Sequence, residues 1–297
     1  HKYKLTSNII FKTLINKILS FGFVTSTKIA GTPNSRTKRN METTTQTAFD
    51  VHNLGYITVL LSSILFYFNN YWVLKMCTPE CVKLFEKKEW KWRNTANSLI
   101  HSFITGCGAC LCFWWTPAMR EDLIVPNTMA SHLLISFSIG YFIYDLIDMA
   151  VNDRKSKTYE LIVHHFMVIS CFTVSMTQHR YAGYTLMALL VEVNSVFLHV
   201  RQLMIMGKIS KNAAVYRINN SFNLGTFVVF RVLTLGWMTR WLLQHRSDLA
   251  TSHFYIAGIS LAVIMAMNTI LLQRLLNADY RQCQKPPVND EHNLKAR

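Results

Sequence analysis

Leu161-Ile-Val-His164-His165-Phe-Met-Val-Ile-Ser-Cys-Phe172 sets two adjacent imidazoles inside an otherwise apolar run. An ionisable side chain in hydrocarbon costs about 3 kcal/mol or more, so it is retained where it serves a substrate, a pathway or a buried pair. Six more such residues lie in apolar surroundings. Asp145 and Asp148 fall near the end of the preceding run, Glu192 and His199 in the following one, and His101 and Arg231 in two others. One would be an accident; together they predict a polar interior.

Composition places that interior in a membrane. Of 297 residues, 51% are hydrophobic and 16% charged, whereas soluble domains carry about 25% charged residues. Seven apolar segments stand out, at 57–74, 98–115, 129–151, 161–176, 184–206, 222–243 and 254–276. Most approach the roughly 20 residues that span a bilayer as helix. The fifth is polar enough that it must face protein. Only helices and closed barrels satisfy every backbone group in lipid, so the expected fold is an all-α polytopic transmembrane bundle of six to seven spans.

Charge placement gives an orientation. Lys and Arg number six in residues 75–97, three in 152–160 and three in 207–221, against one each in 116–128, 177–183 and 244–253 and none in 41–56. Basic loops stay in the cytosol, which predicts seven spans with the N-terminus outside and the C-terminus inside. Residues 1–40 run against this pattern, with eight Lys or Arg, no acid, and +8 of the +15 net charge. They are read as a non-native or leader extension, followed by a short tail at 41–55, a transmembrane domain at 56–276 and a cytosolic tail from 277. The rest of the basicity flanks membrane spans and does not suggest nucleic-acid binding.

Seven cysteines form no disulfide framework. Cys107, Cys110 and Cys112 read as helix packing, since zinc requires four converging ligands. Cys77 and Cys81, at the end of the first span, offer a weak compositional hint of palmitoylation.

The intramembrane polar residues share a depth. Counted from the apolar boundaries, His101 lies about one turn into the second span and the histidine pair opens the fourth. Glu192, Ser195 and His199, at i, i+3 and i+7, share a helical face with one another. Arg231 sits near mid-span of the sixth helix and requires an acidic partner, for which Glu192 is the candidate. Histidine can act as a general base or an acyl-accepting nucleophile, with carboxylates orienting it. Adjacent histidines point about 100° apart on a helix, so at most one faces a substrate. The plainer alternative is that both are satisfied by water and helix contacts, and that Asp145 and Asp148 pair with Arg154 or Lys155. A metal site of His164, His165, Glu192 and Asp145 is a further alternative, but no tight ligand motif supports it; no metal or cofactor is expected.

Trp90-Lys-Trp-Arg-Asn94 followed by Ser98 and His101, Tyr141 with Asp145 and Asp148, His164-His165, Glu192-Val-Asn-Ser-Val-Phe-Leu198, and Phe230-Arg231 together resemble the TLC-domain family, which includes ceramide synthases. The resemblance runs from about residue 57 to 276. It implies membrane lipid chemistry or its regulation. Ceramide synthases carry acidic residues after their paired histidines where this chain has Glu192 and Asn194, which argues against ceramide synthesis. The stretches 179–181 and 189–202 instead resemble a subfamily associated with the plasma membrane, phospholipid acyl composition and fluidity.

The leading expectation is therefore a plasma-membrane (alternatively endoplasmic reticulum) regulator of phospholipid fatty-acid composition and membrane fluidity. It would limit incorporation of polyunsaturated chains, and its partners would be phospholipids or acyl chains and acyltransferases. Its candidate catalytic residues are His164, His165, Glu192, Asp145 and Asp148; the polar lining of a lipid cavity would be His101, Asn194, Ser195, His199 and Arg231. The rivals are a membrane acyltransferase using the histidine pair and a transporter or receptor, the last disfavoured by the scarcity of polar residues in the outer halves. The topology is testable: an epitope placed after Arg297 should be reached by antibody only once cells are permeabilised, and labelling of intact cells would overturn the orientation.

Overall fold

The computed structural model describes residues 53–153 and 155–283. Among them are seven helices long and apolar enough to cross a membrane, and no strand. These are α1 (Asn53–Met76), α2 (Glu86–Trp115), α3 (Met129–Asn152), α4 (Ser156–Gln178), α5 (Ala182–Met206), α6 (Ala214–Gln244) and α7 (Thr251–Cys283). The chain is thus an all-α integral membrane bundle. The expected extension at 1–40 lies outside the described residues. α7 runs past the expected boundary at 276, and the remainder of the tail lies beyond the described part.

Several helices start earlier than apolarity indicates. α2 begins at Glu86 and not at 98, because its first turns, Glu86-Lys-Lys-Glu-Trp-Lys-Trp-Arg-Asn94, are amphipathic. Glu86 and Glu89 sit in that first turn, where carboxylates favour the positive helix end. His101 therefore lies about four turns into α2, not one. α4 begins at Ser156, which places His164 and His165 about two turns in. α3 starts at a reciprocal cap: Thr128 Oγ1 accepts from Ser131 N at 3.2 Å, and Thr128 N donates to Ser131 Oγ at 2.9 Å. Between α4 and α5, His179 and Tyr181 take the left-handed conformation, φ 50° and 65°, and reverse the chain within three residues.

Three interruptions shape the helices. α1 widens to a π-turn at Asn69–Val73 and α6 at Val228–Leu233. α5 is broken at Leu190, between Ala182–Leu189 and Val191–Met206. Such interruptions concentrate at functional sites, and these three flank Asn70, Arg231 and Glu192.

α3 is central, most of it buried, whereas α7 is largely exposed to the membrane. α3 lies along α4 and α2, α2 along α5, α5 along α6, and α4 along α7. Without a hydrophobic force between helices in lipid, small residues and side-chain hydrogen bonds hold them together. Ser62 Oγ and Ser63 Oγ of α1 donate to the carbonyls of Phe137 and Gly140 in α3, each at 2.7 Å. Gly106 brings α2 against α5, where an added Cβ would lie 3.1 Å from Val193 N. Trp72 near one end of the bundle and Trp114 and Trp115 at the other are exposed, the positions that amphipathic rings favour at a membrane surface. The end carrying the α1–α2, α3–α4 and α5–α6 connections is called the basic end below.

A Cβ on Gly140 would collide with the Val59 carbonyl and come within 2.7 Å of Ser62 Cβ, while one on Gly225 or Gly236 meets nothing. Gly140→Val should therefore cost about 1–3 kcal/mol through overpacking, read as a lower melting temperature in detergent, with Gly225→Ala and Gly236→Ala unchanged or slightly stabilised.

Candidate functional site

Two carboxylates on consecutive turns of α3 organise the basic half of the bundle. Asp148 Oδ1 accepts from Tyr71 Oη at 3.0 Å and from Asn152 Nδ2 at 3.0 Å. Its Oδ2 accepts from Trp90 Nε1 at 2.9 Å, Asn94 Nδ2 at 3.3 Å and Asn70 Nδ2 at 3.4 Å. Five donors from α1, α2 and α3 fill the roughly four lone-pair directions of a carboxylate. Asp148 is 4% exposed and has none left for a substrate, so its role is to tie three helices together. The π-turn of α1 presents Asn70 and Tyr71 together; Asn70 Nδ2 also bonds Tyr144 Oη.

Asp145 continues the network. Its Oδ1 accepts from Asn94 Nδ2 at 2.6 Å, and its Oδ2 lies 3.0 Å from His165 Nε2. His165 Nδ1 lies 2.7 Å from the Leu161 carbonyl, which can only accept. Both ring nitrogens of His165 are therefore committed, one to its own helix and one to α3. The sequence alternative in which Asp145 and Asp148 pair with Lys155 is not what the structure shows; Arg154 lies outside the described residues.

His164 points elsewhere. Its ring stands at 82° to that of His165, makes no hydrogen bond among the described residues, and lines a cavity of about 150 Å³ between α4, α5, α6 and α7. Glu192, Ser195 and Arg231 line the same cavity. Glu192 Oε2 accepts from Ser102 Oγ of α2 at 2.6 Å. Arg231 donates from Nη1 to Asn268 Oδ1 at 2.6 Å and from Nη2 to Ser195 Oγ at 2.8 Å. The expected Arg231–Glu192 pair is thus corrected: no hydrogen bond or ion pair joins them among the described residues, because Ser102 holds Glu192 and neutral acceptors hold the guanidinium. Above this polar floor the wall is apolar, with Val168, Leu189, Leu235, Met238 and Leu261. Towards the far end stand Tyr184 and Trp241, ring centroids 5.1 Å apart, and Tyr181 Oη within 3.2 Å of His253 Nδ1.

The remaining candidates lie off this cavity. Asn194 is fully buried against α6, donating to Asn223 O at 2.8 Å, Asn223 Oδ1 at 3.1 Å and Thr226 Oγ1 at 3.0 Å. It clamps α5 to α6 and does not line the cavity. His101 stacks on Tyr141, ring centroids 3.8 Å apart, with Phe66, Phe137 and Phe142 around it. His199 is half-buried and off the cavity wall. His164, His165, Glu192 and Asp145 do not converge on a point as metal ligands would. The supporting residues Asn70, Tyr71, Ser102 and Asn268 are not among the sequence candidates. Asn268, an amide in the middle of the apolar run of α7, is the legible signal among them.

Comparison with known proteins agrees with this architecture. A TLC domain matches residues 91–277. TLC domain-containing protein 2 of Danio rerio is 44% identical over 73% of this chain and 86% of its own length. The Homo sapiens protein of that name is 31% identical, over 75% of this chain and 83% of its own. TLC domain-containing protein 1 of Homo sapiens is 31% identical, over 73% and 86%.

The Asp148 hub makes a quantitative prediction. A hydrogen bond to a charged acceptor is worth about 1.5–3 kcal/mol, so Trp90→Phe should lower stability by that amount in the intact protein. In an Asp148→Ala background the same change should cost much less. Additive losses in that thermal-unfolding cycle would show that the indole and the carboxylate do not interact.

Proposed function

The chain belongs to the TLC-domain family, and from that premise we propose that it regulates the fatty-acid composition of membrane phospholipids, and through it membrane fluidity, limiting the incorporation of polyunsaturated chains. The observation that carries this reading is the cavity itself. An apolar slot ending in a polar floor of His164, Glu192, Ser195 and Arg231 has the amphipathic shape of an acyl chain with its oxygenated end. Ligand sites in helical bundles are built in this way, apolar walls with a few placed polar groups. The choice of phospholipid acyl chains as the regulated quantity rests on the resemblance of the stretches 179–181 and 189–202 to the subfamily associated with acyl composition. The reading places the protein in the plasma membrane with its basic end in the cytosol and with acyltransferases as partners.

A second reading, a membrane acyltransferase, draws on His164. Its ring faces the cavity and makes no hydrogen bond among the described residues, so it is the imidazole placed to accept a proton or an acyl group; His165, committed to Asp145 and Leu161, is not.

Phospholipid acyl profiles of cells expressing variants separate the two readings. His164→Asn should keep folded yield and keep the effect on acyl composition, because an amide preserves polarity and shape. Ala188→Phe, which fills the cavity, should abolish the effect. His165→Asn should lower folded yield by severing the α3–α4 tie. Loss of the lipid effect in a well-folded His164→Asn protein would favour the acyltransferase, and a full effect in Ala188→Phe would remove the cavity from the function.

A further inference from the structure

Among the described residues Arg231 is the one permanent cation lining the cavity, and its direct partners there are neutral. Asn268 accepts a hydrogen bond from Nη1 and Ser195 one from Nη2, while Nε is buried and has no hydrogen-bond partner among the described residues. Glu192 attracts it through space from the same floor but is hydrogen-bonded to Ser102 and forms no ion pair with the guanidinium among the described residues. A guanidinium buried in mid-membrane without a directly bonded anion is expensive. The π-turn at Val228–Leu233 nevertheless sets it at the floor of an apolar slot.

We infer that the cavity binds an unesterified fatty acid, chain along the apolar wall and carboxylate on the Arg231 guanidinium. This rests on the reading that the cavity takes an acyl chain, and it names the group at the polar end of that chain. A carboxylate oxygen supplies the acceptor that the Nε–H lacks and cancels the charge that Asn268 and Ser195 leave in place. A phosphate headgroup fits less well, since it carries more charge and a second cation is not at hand, whereas Glu192 stands on the same floor. An ester oxygen could accept the hydrogen bond but would leave the charge uncompensated. Along α6 the distance from Arg231 to Trp241 is about 15 Å, the reach along the apolar wall between the floor and the Tyr184–Trp241 end.

The test uses the full chain in lipid nanodiscs and radiolabelled oleate. Saturable binding that Ala188→Trp abolishes separates the cavity from partition into lipid. Unlabelled oleate should displace the label and methyl oleate should not. Arg231→Gln should weaken binding at least tenfold, and Arg231→Lys, which keeps the charge, should lose less. If Arg231→Gln does not fold, the comparison of oleate with methyl oleate on the unaltered protein decides. Equal displacement by methyl oleate overturns the carboxylate assignment and leaves an acyl cavity standing. Stronger displacement by oleoyl lysophosphatidate overturns it in favour of a phosphate headgroup. Absence of any saturable binding removes both this inference and the acyl-cavity reading.

Discussion

Hydrocarbon offers no water to a buried carboxylate, so Asp145 and Asp148 must find every hydrogen bond inside the protein. They find them on four different helices: Asn70 and Tyr71 on α1, Trp90 and Asn94 on α2, Asn152 on α3 and His165 on α4. That requirement orders the basic half of the bundle. It turns α4 so that His165 meets α3, and the neighbouring His164 is thereby turned to the cavity. The amphipathic first turns of α2 belong to the same system, since Trp90 and Asn94 are needed at the depth of Asp148.

The remainder of the site rests on close helix approach. Gly106 lets α2 come against α5 beside Glu192, and Ser102, one turn away, then reaches its carboxylate. Asn194 locks α5 to α6 through Asn223 and Thr226, which keeps Ser195 facing Arg231. Residues that tie helices together and residues that face the cavity therefore alternate along α5: Glu192 and Ser195 face inward to the cavity, and Asn194 between them does not.

Much of this was legible in sequence because the cost of polarity in lipid is so large. Seven spans follow from apolar length, and intramembrane His, Asp, Glu and Arg mark the interior. Roles were harder. Apolarity ends where a helix becomes amphipathic, so apolar length alone makes α2 and α4 too short and puts His101 too near the surface. Charge count pairs Arg231 with an acid, yet Asn268 and Ser195 are the acceptors it bonds. Nearness to Glu192 in sequence suggests Asn194 for the cavity, although two residues of helix, about 200° of rotation, put the two on opposite faces. The π-turns have no periodic signature, and the contacts they create across α1 and α6 depend on tertiary neighbours.

The widened turn at Val228–Leu233 has a consequence for how this protein tolerates change in length. A π-turn holds one residue more than the α-helical turn it replaces, so removing a single residue there would restore regular winding without shortening any loop. Six residues of π-turn sweep nearly the angle of five in α-helix, so the half of α6 beyond it would keep its phase, and Leu235, Met238 and Leu242 would stay a stripe on the cavity wall. What would change is Arg231, which sits within the widened turn and would lose the placement that lets it meet Ser195 and Asn268 together. The same deletion one turn further along has no widened turn to absorb it and would rotate Leu235, Met238 and Leu242 off the wall by about 100°. Hydropathy would not distinguish the two deletions, although one disturbs a single side chain and the other a whole face.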